Sequence, residues 1–189
     1  MEKSFTLKYK IQFFDYWHLS SGLSAGAQLD STVVKDKDNL PYVPAKTIKG
    51  LVRELAEYLP ENNDLIKQCF GDQGDNSGEC YFKNAILDET TKKEIVSNKL
   101  QNNLYDVIAS TKIGEKNKKN ETEGIAVDNS LREIEVTIPL TLEAEILDIP
   151  SKDYANRLIS AMKLIKRMGL NRNRGLGRCE FNEFKVEEK

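Results

Sequence analysis

The sequence predicts an α+β chain of the ferredoxin-like order β-α-β-β-α-β, the RRM-like arrangement, carrying a long insertion. Three observations lead there. Residues 4–14 and 133–147 alternate apolar and polar, the period of a half-buried strand. Residues 45–59 and 152–168 space their apolar side chains at i, i+3, i+4 and i+7, the period of a helix. Shorter apolar runs at 79–87 and 178–186 supply the two remaining strands.

In chain order, Phe5, Leu7, Tyr9, Ile11 and Phe13 give the first strand its core face. Residues 16–28 hold two glycines, three serines and the one histidine, His18, and read as a loop that approaches a partner closely. Val33-Val34 reads as a short strand before a polar turn. Pro41 and Pro44 form a turn in which Pro44 suits the first helical position, because its fixed φ and missing N–H cost nothing there. The helix at 45–59 carries Ile48, Leu51, Val52, Leu55 and Leu59 on one stripe and Lys46, Lys49 and Arg53 on another.

Pro60 ends that helix, and Asn62 or Asn63 caps a short second one reaching Phe70-Gly71. From Asp88 to about Ser130 the chain is rich in Lys, Asn and Glu. It reads as an insertion in a single domain spanning 1–189, with 115–124 expected to be mobile. Pro139 marks an edge or a bulge in the strand 133–147. Ser151 caps the last helix, and Gly169 is expected as the residue just past its end.

Composition excludes several function classes. The chain has 189 residues, 39% of them apolar and 31% charged, and a net charge of −2. It has no apolar run long enough to cross a membrane and no apolar signal core near Met1, which leads to the expectation of a cytoplasmic protein. Three cysteines without a CxxC pair, and a single histidine, speak against a structural zinc site. Charge distribution is more telling. Arg157 to Arg178 contains seven basic residues and no acidic one, which leaves −9 for the rest of the chain. Such a patch on an acidic protein is a candidate polyanion site.

Two segments look suited to phosphate. One is the start of the helix at 45, with free N–H groups and Lys46, Lys49 and Arg53 beside it. The other is Arg172-Asn-Arg174-Gly175-Leu176-Gly177-Arg178, a glycine-containing loop flanked by cations. It precedes a strand rather than following one, so it is neither a dinucleotide fingerprint nor a P-loop.

The block Asp30-Ser31-x-Val33-x-x-Asp36, with Pro41-Tyr42, Pro44, Ile48-Lys49-Gly50 and Arg53, combines with Cys69-Phe70-Gly71 and the loop at Gly175 and Gly177. Together these resemble the RAMP superfamily, and most closely the repeated backbone subunits of type III CRISPR effector complexes. Where that family has Gly-Ser-Ser this chain has Ala45-Lys46-Thr47, which adds a cation.

The resemblance implies a subunit that binds guide RNA (crRNA), stacks with further copies of itself and other effector subunits, and inserts a thumb drawn from 88–130. It implies RNA contacts at His18, Ser20, Ser21, Lys46, Lys49, Arg53, Arg172, Arg174, Gly175, Leu176, Gly177 and Arg178. Asp30 matches the aspartate that, with Mg²⁺ or Mn²⁺, supports endonucleolytic cleavage of the paired target RNA. Two alternatives stand beside this. One is a structural member of the same assembly that does not cut. The other is a metal-independent nuclease that matures guide RNA with His18 as base.

Overall fold

The computed structural model describes residues 3–23, 29–60, 62–72, 77–114, 126–127 and 130–189. The expected mobile stretch 115–124 lies outside them. Four strands form one antiparallel sheet in the order β2-β5-β1-β6, with β1 Phe5–Phe13, β2 Tyr81–Phe82, β5 Thr141–Ile149 and β6 Cys179–Glu188. The helices α1 (Ala45–Ala56) and α4 (Lys152–Leu164) contribute their apolar stripes to the same core as the sheet. The fold is therefore ferredoxin-like. Leu7, Ile11, Ile48, Val52, Leu142, Ile146, Leu158 and Met162 are fully buried and form the centre of the core. These are the residues that the two periods select.

The opposite face of the sheet is charged. Lys8 and Lys10 of β1 lie across from Glu145 and Glu143 of β5. Lys10 pairs with Glu183 at 2.8 Å and Lys83 with Glu145 at 2.6 Å. RRM domains read RNA with aromatic residues on this face. Here it carries a ladder of matched charges.

Between β2 and β5 the chain leaves the four-stranded sheet. It forms α3 (Glu89–Ser97), a turn at Gln101–Leu104, and a two-stranded ribbon of β3 (Tyr105–Ser110) and β4 (Arg132–Thr137).

Several expected boundaries move, each for a tertiary reason. The strand read at 133–147 is two strands in different sheets, and Pro139 sits at the changeover, where a missing N–H breaks the ladder. The last helix stops at Leu164, not 168. Lys166 O accepts from Cys179 N–H at 3.0 Å and Met168 N–H donates to Gly177 O at 2.9 Å, so this backbone pairs with the chain leading into β6.

Gly169 consequently does not cap that helix; its φ of 95° brings it against the His18 carbonyl, where a Cβ would collide. Pro44 precedes α1 rather than opening it, and its carbonyl accepts from Thr47 and Ile48. Helix α1 ends at Ala56, three residues early. The strand at 79–87 pairs continuously only at Tyr81–Phe82, then through single bridges at Ala85 and Ile86. Asn62 does not cap α2 (Asn63–Leu65), because its side chain donates back to the Glu57 carbonyl.

Candidate nucleic-acid interface

Topology brings the interesting segments to one end of the sheet. The end of β1 meets the start of β6 (Phe13 opposite Cys179) and of β5 (Phe13 N–H to Leu140 O, 2.9 Å). The exit of β2 is at the same end, where Ala85 bridges Val43, two residues before α1. The glycine loop is there too, since Gly177 N–H donates to Tyr16 O at 2.8 Å. The ribbon roots there through Trp17, which bridges Thr137 and donates from its ring to Ile138 O at 3.0 Å.

Asp30 lies on a segment that runs along β4. Its N–H donates to Glu133 O at 2.9 Å, and its Oδ2 accepts from Glu133 N–H at 2.8 Å. The other carboxylates of the acidic loop are committed. Asp36 Oδ1 accepts from Asp38 and Leu40 N–H, closing an Asx turn, and Lys92 of α3 reaches Asp38 at 3.1 Å and Asp36 at 3.9 Å. Asp30 is exposed and has no cation partner among the described residues.

His18 is fully buried. Its Nδ1 donates to Glu135 O at 2.6 Å and its Nε2 meets Ser31 Oγ at 3.1 Å. With the ring fully buried and both its nitrogens bonded, it presents no face to RNA and no route to act as a general base. His18 is instead an internal brace between β4, Ser31 and the glycine loop. Ser20 is exposed and Ser21 half-buried: Ser20 Oγ accepts from Gly22 N–H at 3.1 Å, and Ser21 Oγ pairs with Thr32 Oγ1 at 2.8 Å.

Glu135 is the residue the sequence did not flag. Its carboxylate takes Val33 N–H at 3.0 Å and Lys35 Nζ at 2.7 Å, while its carbonyl holds His18. Lys35 also lies 3.8 Å above the Tyr105 ring. The partners are about a hundred residues apart in sequence, so no local signal could reveal them.

At the start of α1, Ala45 N–H is taken by Asn84 Oδ1 at 2.8 Å, so one of the free donors expected there is already bonded. Lys46 is exposed and Lys49 half-buried, with no carboxylate bound to either among the described residues. Arg53 pairs with Glu57 at 3.2 Å, a surface i, i+4 contact that a phosphate can replace at little cost.

The glycine loop divides in two. Arg172, Arg174 and Gly175 are exposed, and Gly175 has φ of 91° with open space about its Cα. Leu176 and Gly177 are buried, and Gly177 N–H is spent on Tyr16. Gly177 therefore packs the loop onto the Met168 backbone. Arg157 does not join this patch, since its guanidinium bonds Pro60 O at 2.7 Å beyond the far end of α1.

The described residues include no group of three or more His, Cys, Asp or Glu that could hold a metal ion. A lone carboxylate fits Mg²⁺ or Mn²⁺ only where phosphate and water complete the shell. All three cysteines are free and buried, and burial pushes the Cys179 thiol up to about 12, so none is poised as a nucleophile. No helix among the described residues is long and apolar enough to cross a membrane.

Residues 10–180 match the RAMP superfamily. The chain belongs to that superfamily. Two solved structures are similar to it. One is a chain of a type III-B Cmr-beta complex bound to cognate target RNA, with TM-score 0.72 and 19% identity, covering 97% of this chain. This RAMP chain spans 61% of that longer relative. The other is a chain of the same kind of complex in its apo state, with TM-score 0.68 and 13% identity, covering 94% of this chain and 96% of its own. No curated protein sequence matches.

Proposed function

We propose that this RAMP chain is a guide-RNA-binding backbone subunit of a type III CRISPR effector complex, and that Asp30 supports cleavage of the paired target RNA. The observation that carries the reading is the position of Asp30. It is the one carboxylate of its loop, among the described residues, that is exposed without a cation partner. It is fixed to Glu133, near the end of the β3–β4 ribbon away from its root at Thr137. Cations line the same end, at Lys46 and Lys49 on one side and Arg172, Arg174 and Arg178 on the other.

In this reading the guide backbone runs between α1 and the glycine loop, and the β3–β4 ribbon is the thumb that displaces a nucleotide. Asp30 contributes one ligand beside the exposed phosphate. Bound Mg²⁺ or Mn²⁺ would supply Lewis-acid stabilisation of the scissile phosphate. The partners are crRNA, target RNA, neighbouring effector subunits and further copies of the chain. Binding by the full chain should weaken steeply with salt. Lys49→Ala should weaken it at every sequence and lower the slope of log K against log salt by about one. Affinity that does not fall with salt sinks the phosphate grip.

A second reading has one observation in its favour. Asp30 Oδ2 already holds Glu133 N–H, a purely structural use, which suits a subunit that binds RNA without cutting. The burial of His18 speaks against the third reading, a guide-maturing nuclease.

A further inference from the structure

We propose that the chain carries a nucleotide subsite at the β6 edge: single-stranded RNA places one base on the Phe14–Arg178 pair and a phosphate on Lys166 and Arg167. The inference rests on the RNA-binding reading above and adds residues which that reading does not contain.

A hollow of about 330 Å³ opens here, lined by Phe14, Lys166, Arg167, Arg178, Cys179 and Glu180. That is the lower end of the range for small-ligand pockets, and suits a single nucleotide. Phe14 is 39% exposed although it is a large apolar residue at the end of a core strand. Its position is fixed, because its N–H donates to Arg178 O at 2.9 Å. The Arg178 guanidinium carbon lies 5.4 Å from the ring centroid, within cation–π range, while its Nε holds Asp15 at 3.2 Å. A guanidinium can stack its planar face on a base as well as sit near a ring, which lysine cannot offer.

The second wall is cationic. Lys166 and Arg167 are both exposed, on the stretch whose backbone pairs with residues 178 and 179. Arg167 Nη1 donates to Arg172 O at 3.1 Å, which orients the fork and joins the hollow to the glycine loop. Glu180 is the one carboxylate in the lining. The larger hollow, about 580 Å³ over the open sheet face, differs in kind, because Lys8, Lys10 and Lys83 there are paired with glutamates. An aromatic platform beside cations is how proteins hold single strands without reading their sequence.

Position adds to the case. Helix α1 starts on the β2 side of the sheet and the hollow lies at β6, three strand spacings away, or about 14 Å. The glycine loop lies between them, so a backbone crossing this end from α1 reaches the Phe14 hollow next.

The test uses the full chain with two probes of equal length, an oligouridylate and an abasic ribose-phosphate oligomer. Phe14→Ala should weaken the oligouridylate by roughly 5- to 150-fold and leave the abasic oligomer unchanged, while Phe14→Trp keeps wild-type affinity. Arg167→Ala should weaken both probes equally and flatten the salt dependence. If Phe14→Ala has no effect on the oligouridylate while Lys49→Ala weakens it, the subsite is wrong and the grip at α1 survives. If the wild-type chain binds neither probe, the RNA-binding reading itself fails.

Discussion

Asp30 and Glu133 hold each other through two hydrogen bonds, one backbone to backbone and one from the Glu133 N–H to Asp30 Oδ2. This pairing separates the structural use of Asp30 from its charge. Asn at this position can still accept from Glu133 but carries no charge. Asp30→Asn should keep the melting temperature and the RNA affinity while lowering target cleavage by the assembled complex more than about 100-fold. Undiminished cleavage by Asp30→Asn would leave only the structural reading.

His18 should behave as a core residue. Removing its ring leaves the Glu135 carbonyl unsatisfied and opens a cavity between β4 and Ser31. His18→Ala should cost about 2–4 kcal/mol, read by chemical or thermal unfolding. A variant that melts like wild type yet loses a guide-processing activity would revive the nuclease reading.

Gly175 and Gly177 look alike in sequence and should respond differently. A Cβ on Gly177 collides with the Met168 backbone at φ of 71°, whereas one on Gly175 meets nothing. Gly177→Ala should destabilise by more than about 3 kcal/mol. Gly175→Ala should cost only the left-handed backbone penalty, about 1 kcal/mol. Equal melting temperatures for the two variants would contradict the packing assigned to Gly177.

Asp88 caps α3, accepting from Thr90 N–H at 3.1 Å and Thr91 N–H at 3.0 Å. The Thr91 side chain, then its backbone N–H, hold the Asp88 carboxyl below the usual carboxylate range. The stabilisation is present above the ordinary Asp value and is lost as pH falls through the lowered folded value. Asp88→Ala should cost about 1 kcal/mol at neutral pH, and the gap from wild type should close in acid. A gap that is constant with pH would mean that the carboxylate is not the cap.

The order of elements and both main helix starts were legible because they rest on local signals: alternation in β1, an i, i+4 stripe in α1, a serine cap on α4. Helix α3 was hidden in a polar stretch, although Asp88 ahead of Thr90 and Thr91 is a capping signal. Where the reading missed, a distant partner decided. Residues 166–168 pair with 177–179, ending α4 early, and β4 turns away at Pro139 to join β3. The exposed members of the interface, Asp30, Lys46, Arg172 and Arg174, were visible as charges in loops and at a helix start. The burial of His18 and Gly177, the Glu135 node and the Phe14 hollow depend on contacts across the chain that periodicity does not encode.

The central claim is that this end of the sheet grips guide RNA. Purifying the tagged chain from its native cells and sequencing the RNA that stays bound tests it most directly. The account predicts RNAs of narrow length range sharing one repeat-derived end, lost when Lys49, Arg172 and Arg174 are changed together to Ala. Recovery of the chain with its partner subunits but without RNA, or with unrelated fragments only, would contradict it.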